Sequence, residues 1–138
     1  MKCIFYEKRS GIIAGQIIGL LKASAVENKT EIYHTIRTLS QRLTRPIDGL
    51  AIMVLIAGDR KDLLNILAIQ KLFGLIRIII ILPDREDESV KMGYKLQPRF
   101  LTYVNGDISE VHAILRKLLE LSASNEGIAG EHSSAGNG

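Results

Sequence analysis

The sequence contains a single cysteine and no tryptophan, and these two shortages limit its chemistry from the start. Because Cys3 has no second cysteine to pair with, an intramolecular disulfide is excluded and no cysteine cluster is left to hold a metal. Cys3 lies within an apolar strand pattern, which favours a buried, unreactive thiol. Aromatic residues make up only 5% of the chain, so the core must be mostly aliphatic.

Long hydrophobic runs are also missing. The stretch GIIAGQIIGLLK at 11–22 is interrupted by Gln16 and Lys22, and it falls short of the ~20 apolar residues that a membrane span needs. The N-terminus does not show the pattern of a secretory signal. These observations favour a cytoplasmic protein with no membrane partner. The net charge of +3 is too weak to predict nucleic-acid binding.

Common catalytic and cofactor motifs are absent as well. The sequence contains no GxGxxG, GxSxG or HExxH pattern, and the glycines near the N-terminus lack the Gly-Lys-Ser/Thr ending of a phosphate-binding loop. Two histidines, His34 and His112, have no Cys or His partner at a metal-ligand spacing. We therefore predict no cofactor, no metal and no enzymatic activity.

What the 138 residues do contain is a regular alternation of short apolar runs and longer helical patterns. The runs LAIMVLIA and IRIIIIL have no regular polar alternation, which is typical of strands covered on both faces. Five strand–helix pairs in strict alternation predict an α/β fold with a doubly wound, five-stranded parallel sheet. The flavodoxin-like strand order 2-1-3-4-5 fits this (βα)5 pattern. The predicted strands cover 2–7, 30–35, 50–57, 76–82 and 100–105, and the predicted helices 11–26, 36–44, 60–73, 85–97 and 108–121.

The last part of the chain has a different composition. Residues 122–138, SASNEGIAGEHSSAGNG, carry one large apolar residue among Ser, Gly, Asn and Glu. Such a segment lacks the side chains to build a core and is typical of a flexible tail or linker. We predict one domain over residues 1–121 and a tail over 122–138.

A site in such a fold is expected beyond the carboxyl ends of the strands, where the strand order reverses. Six residues are predicted to surround that position. They are Glu7 and Lys8 after the first strand, Ala57 and Asp59 after the third, Pro83 after the fourth and Tyr103 at the fifth.

The element order and the segment FLTYVNGDISEVHAILRKLLE at 100–120 resemble the receiver domain of response regulators, the CheY-like family. The resemblance covers residues 1–121 and implies a signalling function. Receivers carry an acidic pair that binds Mg²⁺ after strand 1, and Glu7-Lys8 stands there. They carry a phosphoacceptor Asp at the end of strand 3, where Ala57 stands two residues before Asp59. They carry a Lys at the end of strand 5, where Tyr103 stands.

The resemblance therefore implies a degenerate receiver, or pseudo-receiver, that acts as a phosphorylation-independent protein–protein interaction module. Hard Mg²⁺ prefers oxygen ligands, and the ammonium of Lys8 in place of a carboxylate would oppose its binding. Asp59 instead has the position of an N-cap for the helix that follows, and Asp84 and Asp107 are interpreted in the same way. Two alternatives stay open. One is a phosphoacceptor enzyme that uses Asp59 and Glu7, and the other is a small-ligand binder of flavodoxin-like shape.

Three surface features carry further hypotheses. On a continuous helix over 60–73, Leu64, Ala68 and Leu72 fall on the side away from the sheet, which predicts an association face for a homodimer or another protein partner. Small residues recur every four positions in the first helix, which indicates either tolerated glycines or close approach of a neighbouring helix. The second helix has a basic face, either solvated or turned to an anionic partner. The small residues are Gly11, Gly15, Gly19 and Ala23, and the basic ones are Arg37, Arg42 and Arg45.

Overall fold

A computed structural model describes residues 2–8, 12–23, 29–47 and 49–132, with side chains to residue 120. Five parallel strands form one sheet in the order β2-β1-β3-β4-β5, which confirms the predicted fold class. In the described part of the chain, no helix is long and apolar enough to cross a membrane. The strands are β1 (Lys2–Glu7), β2 (Lys29–Tyr33), β3 (Ala51–Ile56), β4 (Arg77–Leu82) and β5 (Phe100–Tyr103).

Helices follow all five strands, but four of them differ clearly in length from the prediction. The first ends at Lys22 instead of 26. The third ends at Ala68, and a separate 3-10 helix over Gln70–Leu72 replaces its last turn. The fourth is shorter than expected. The fifth continues to His132, so the first part of the predicted tail is helical, while residues 133–138 lie outside the described residues. The helices are α1 (Ile12–Lys22), α2 (Ile36–Leu43), α3 (Arg60–Ala68), α4 (Asp87–Tyr94) and α5 (Ile108–His132).

The core has two layers, one on each face of the sheet. Because side chains alternate along a strand, β3 sends Met53 and Leu55 to the face covered by α2, α3 and α4. Its Ile52, Val54 and Ile56 point to the face covered by α1 and α5. Every residue of β3 is buried, which explains the unbroken apolar run in the sequence.

Of the two interpretations for the small residues of the first helix, the structure favours tolerated glycines at the two positions it describes, because a Cβ added at Gly15 or Gly19 would meet nothing within 4 Å. Gly11 lies outside the described residues. Close approach of a helix occurs at a different glycine. In α4, a Cβ added at Gly93 would lie 2.9 Å from Leu101 Cδ1 and 3.0 Å from Leu82 Cδ2. A side chain at Gly93 would have to displace the ends of Leu101 and Leu82, so the glycine lets α4 lie close to β4 and β5.

The predicted basic face of α2 is only partly exposed. Arg37 and Arg45 are exposed, but Arg42 is buried, and its Nε donates to Glu31 Oε1 at 2.7 Å. Glu31 also accepts from the Tyr33 hydroxyl at 2.6 Å and pairs with Lys2 Nζ at 2.8 Å. The cluster joins α2 to the edge of the sheet, so Arg42 is not available to an anionic partner.

This cluster predicts a pH-dependent contribution to stability. Partial burial would raise the pKa of Glu31, but the hydrogen bonds from Arg42, Lys2 and Tyr33 outweigh it and lower the pKa from 4.5 to about 2. The pKa is depressed in the folded state, so the stabilisation is present above about pH 4.5 and is lost as the pH falls towards 2.

We expect Glu31→Gln to lower the free energy of unfolding by about 1–2 kcal/mol at pH 7. The difference from wild type should shrink between pH 4.5 and pH 2, as followed by urea unfolding. Glu120→Gln is the control, because Glu120 pairs with the exposed Arg116 on α5 and exposed pairs of this kind contribute little. A difference that is constant with pH would contradict this role of the Glu31 carboxylate.

Candidate functional site

The site predicted at the carboxyl ends of the strands begins with Glu7, the last residue of β1. Its Oε1 accepts from the Ala14 amide at 2.8 Å and its Oε2 from the Ile13 amide at 3.3 Å. Both amides belong to the first turn of α1, where N–H groups lack partners within the helix. The negative charge of Glu7 also suits the positive end of the helix dipole. Both oxygens of this carboxylate therefore hold the start of α1.

The next residue, Lys8, is exposed. The backbone carbonyl of Glu7 contacts His34 Nδ1 at 2.8 Å, which ties the end of β1 to the segment between β2 and α2. The position where receivers have a second carboxylate thus presents an ammonium to solvent.

After β3 the chain continues through Ala57 and Asp59. Ala57 is fully buried, and its amide donates to the Ile81 carbonyl at 2.9 Å, which extends the pairing of β3 with β4. Asp59 is the N-cap of α3 and accepts from the Asp62 amide at 2.7 Å. The predicted capping role of Asp59 is confirmed.

A buried carboxylate in the first turn of α3 lies close to these residues. Asp62 is 1% exposed; its Oδ1 accepts from the Tyr6 hydroxyl at 2.6 Å and its Oδ2 from the Gly58 amide at 3.1 Å. Tyr6 is equally buried. Burial, the hydrogen bond to Asp62 and the charges of Asp62 and Asp59 all raise the pKa of Tyr6, so its hydroxyl stays a donor.

One signal in the sequence did point towards this arrangement. Asp59 and Asp62 have capping-box spacing, in which the second acid returns to an amide near the first. The structure shows that return bond at Gly58 rather than at Asp59 itself. Nothing local indicated Tyr6, because it lies 56 residues earlier in the chain.

The ends of β4 and β5 are closed by other contacts. Pro83 is half-buried, and Asp84 accepts from the Glu86 amide at 2.9 Å. Because α4 begins only at Asp87, the predicted N-cap role of Asp84 is wrong, and the residue forms a local turn before the helix instead. The Arg85 guanidinium lies 4.3 Å from the centre of the Tyr103 ring, a cation–π contact.

The remaining capping prediction is confirmed at the fifth helix. Asp107 directly precedes α5 and accepts from the Ser109 amide at 2.9 Å. Across the described residues, no three His, Cys, Asp or Glu side chains come together in a way that could hold a metal ion. The acidic side chains above β1 and β3 instead bind backbone amides at the starts of helices.

The predicted association face forms only in part. Leu64 is 55% exposed and Ala68 is also exposed, as expected. Leu72, however, lies in the 3-10 helix and is partly buried against the core beside Phe73. The reason is the break at Ile69 (φ −104°, ψ 12°), which ends α3 and changes the direction of the side chains that follow.

Comparison with known structures places this arrangement among receiver folds. A CheY-like response regulator receiver domain protein from Methanospirillum hungatei JF-1 is similar with a TM-score of 0.66 at 12% identity, over 91% of this chain and 98% of that one. The signal receiver domain of an HD domain-containing protein from Pseudomonas fluorescens Pf-5 is similar with a TM-score of 0.64 at 13% identity, over 91% of each chain.

A putative pilus assembly protein (cpaE) from Burkholderia thailandensis E264 is also similar, with a TM-score of 0.61 at 14% identity over 85% of this chain and 96% of that one. No protein-family model matches the sequence, and neither does a curated protein. At these identities the structural likeness shows the fold, which is that of receiver domains.

The buried pair of Tyr6 and Asp62 gives a prediction for stability. Tyr6→Phe removes only the hydroxyl and leaves one buried oxygen of Asp62 without its donor, so we expect the free energy of unfolding to fall by about 1–3 kcal/mol. Urea unfolding measures this loss. Tyr94→Phe is the matched control, since Tyr94 is 61% exposed and should tolerate the change within about 0.5 kcal/mol. Equal stability of the two variants would contradict the role of the hydrogen bond.

Proposed function

We propose that this chain is a receiver-like protein–protein interaction module whose partner binding does not depend on phosphorylation. The observation that carries the proposal is the use of the carboxylates at the strand ends. Glu7 holds the first turn of α1, and Asp59 holds the first turn of α3. A carboxylate whose oxygens bind helix amides is poorly placed to bind a metal or to attack a phosphoryl donor.

The other positions support the same function. Phosphoryl transfer requires cations placed to neutralise the charge that develops on the transferred group. Ala57 offers no acceptor at the end of β3, and Tyr103 offers no cation at the end of β5. The cation nearest to Tyr103 in the described contacts, Arg85, lies over its ring. A phosphoacceptor enzyme based on Asp59 and Glu7 would have to break both helix starts first.

A module that does not switch by phosphorylation needs a surface that is always presented. Two adjacent helices, α3 and α4, each expose one large apolar side chain. Leu64 of α3 is 55% exposed and Tyr94 of α4 is 61% exposed. We propose the exposed side of α3, with Leu64 and Ala68, as the association face for a second copy of the chain. Leu72 no longer belongs to it.

The first test concerns phosphorylation. We expect the protein to show no phosphoryl adduct by intact mass after incubation with Mg²⁺ and acetyl phosphate, because no free carboxylate pair binds the metal. A receiver domain with a complete acidic pair and acceptor Asp is the positive control and should become modified under the same conditions. A stoichiometric adduct on wild type that disappears in Asp59→Asn would contradict the proposal.

The second test concerns association. Burial of each Leu64 side chain should contribute about 1.5–3 kcal/mol, so we expect a dimer that forms only at high protein concentration. Leu64→Glu should abolish it in analytical ultracentrifugation and leave the fold intact. Leu75→Glu is the control, because Leu75 is even more exposed than Leu64 but lies outside α3. A wild type that stays monomeric, or equal loss of the dimer in both variants, would contradict this face.

A further inference from the structure

A cleft of about 340 Å³ opens at the amino ends of the strands, where β4 and β5 begin. One wall is formed by the 3-10 helix and the turn that follows it, and the other by the segment between α4 and β5. Ligands of parallel sheets usually bind at the opposite end, beyond the carboxyl ends of the strands. The cleft is therefore separate from the site described above.

The charge around the cleft has one sign. Arg77 and Arg99 are among its lining residues, and none of the lining residues is acidic. Two segments contribute to it, and the sequence contains no Asp or Glu from 63 to 83 or from 89 to 106. A ligand in the cleft would thus meet positively charged lining residues and no lining carboxylate.

Arg99 is on the side of the sheet where the cleft opens. Its amide donates to the Ile78 carbonyl at 2.7 Å, one step before the register pair of Ile79 and Phe100. Residues paired across parallel strands point to the same face, and Ile78 belongs to the core under α3 and α4. The Arg99 side chain therefore stands on that face, and it is exposed.

The turn after the 3-10 helix adds backbone donors. Phe73 has right-handed helical angles (φ −74°, ψ −27°), and Gly74 has a left-handed φ of 55°. This succession turns neighbouring N–H groups to one side and creates a concavity that suits an anion. The amides of Gly74 and Leu75 donate to no acceptor within the described part of the protein.

The two walls are held together before any ligand binds. Gln70 on one wall donates from Nε2 to the Lys95 carbonyl at the end of α4, at 2.6 Å. On the other wall, Gln97 has a φ of 52°, which is uncommon for a residue other than glycine. A connection between the walls favours binding, because less of the protein has to be ordered when a ligand enters.

One effect opposes an anion at this position. The C-terminal ends of α4 and the 3-10 helix point to the amino ends of the strands, and helix C-termini carry partial negative charge. Lys71 lies in the last turn of the 3-10 helix, Lys91 lies in the last turn of α4 and Lys95 is its C-cap, and these cations offset that charge. Arg99 belongs to neither helix, so its charge remains for a ligand.

We propose that this cleft binds a small organic ligand through an oxyanion, which is held by the Arg99 guanidinium and by the amides of Gly74 and Leu75. A guanidinium presents two parallel N–H donors that match the oxygens of a phosphate or a carboxylate. The cleft is larger than a single oxyanion, and the side chain of Leu75 at its rim is fully exposed to contact the organic part of the ligand.

The test uses the full chain labelled with ¹⁵N and two separate probes, inorganic phosphate and acetate, at constant ionic strength in chloride. We expect saturable shifts of the amide signals of Gly74, Leu75 and Arg99 with at least one probe. The probe that binds more tightly identifies the oxyanion. Arg99→Gln should weaken that binding roughly tenfold or more. Arg37→Gln removes the same charge from exposed α2 and should leave it unchanged.

Three results would overturn the proposal. These are shifts that do not saturate with either probe, saturable shifts confined to other parts of the chain, and equal weakening by the Arg99 and Arg37 variants, which would indicate only the overall charge. Should Arg99→Gln fail to give a folded spectrum, Arg99→Lys keeps the charge but not the paired donors. That variant should bind measurably more weakly than wild type, and unchanged binding would refute the role of the guanidinium.

Discussion

Burial of the two central strands on both faces is the constraint on which the rest of this structure depends. All of β3 and all but the first residue of β4 are buried. Their backbone groups have no water to bind, so each strand must be paired on both sides, and the helices must cover both faces. The five-stranded order and the two layers of core follow from this requirement. Polar groups therefore lie at the two ends of the strands, where the loops begin.

The polar groups at the two ends of the strands have different partners. At the carboxyl ends of β1 and β3, acidic side chains accept hydrogen bonds from amides at helix starts, and Tyr6 donates to the buried carboxylate of Asp62. These contacts stabilise the fold. At the opposite end of the strands the helices end, and the amides of Gly74 and Leu75 have no acceptor among the described residues. In the proposal made above, this second end of the sheet is the one that binds an anion.

The receiver fold is compatible with this difference between the two ends of the strands, but the fold alone does not account for it. The similar structures share 12–14% of their residues with this chain, so the likeness shows the fold and does not extend to the side chains at the strand ends. Function in such folds depends on the side chains grafted at the strand ends. Here those side chains are Glu7, Lys8, Ala57 and Tyr103, and each is accounted for by local packing, capping or exposure.

The sequence by itself determined the strands and the capping roles of Asp59 and Asp107, because periodicity and capping act between residues only a few positions apart. The strand order was expected from the known solution for alternating strand–helix pairs, and the observed pairing of the strands confirms it. Only the tertiary structure decided the pairing of Tyr6 with Asp62, which requires β1 to lie beside β3 under the start of α3. It likewise decided that Arg42 turns inward to Glu31 and that α3 stops at Ala68. These outcomes depend on contacts between elements far apart in the chain, and no local pattern records which partner the fold will bring within reach.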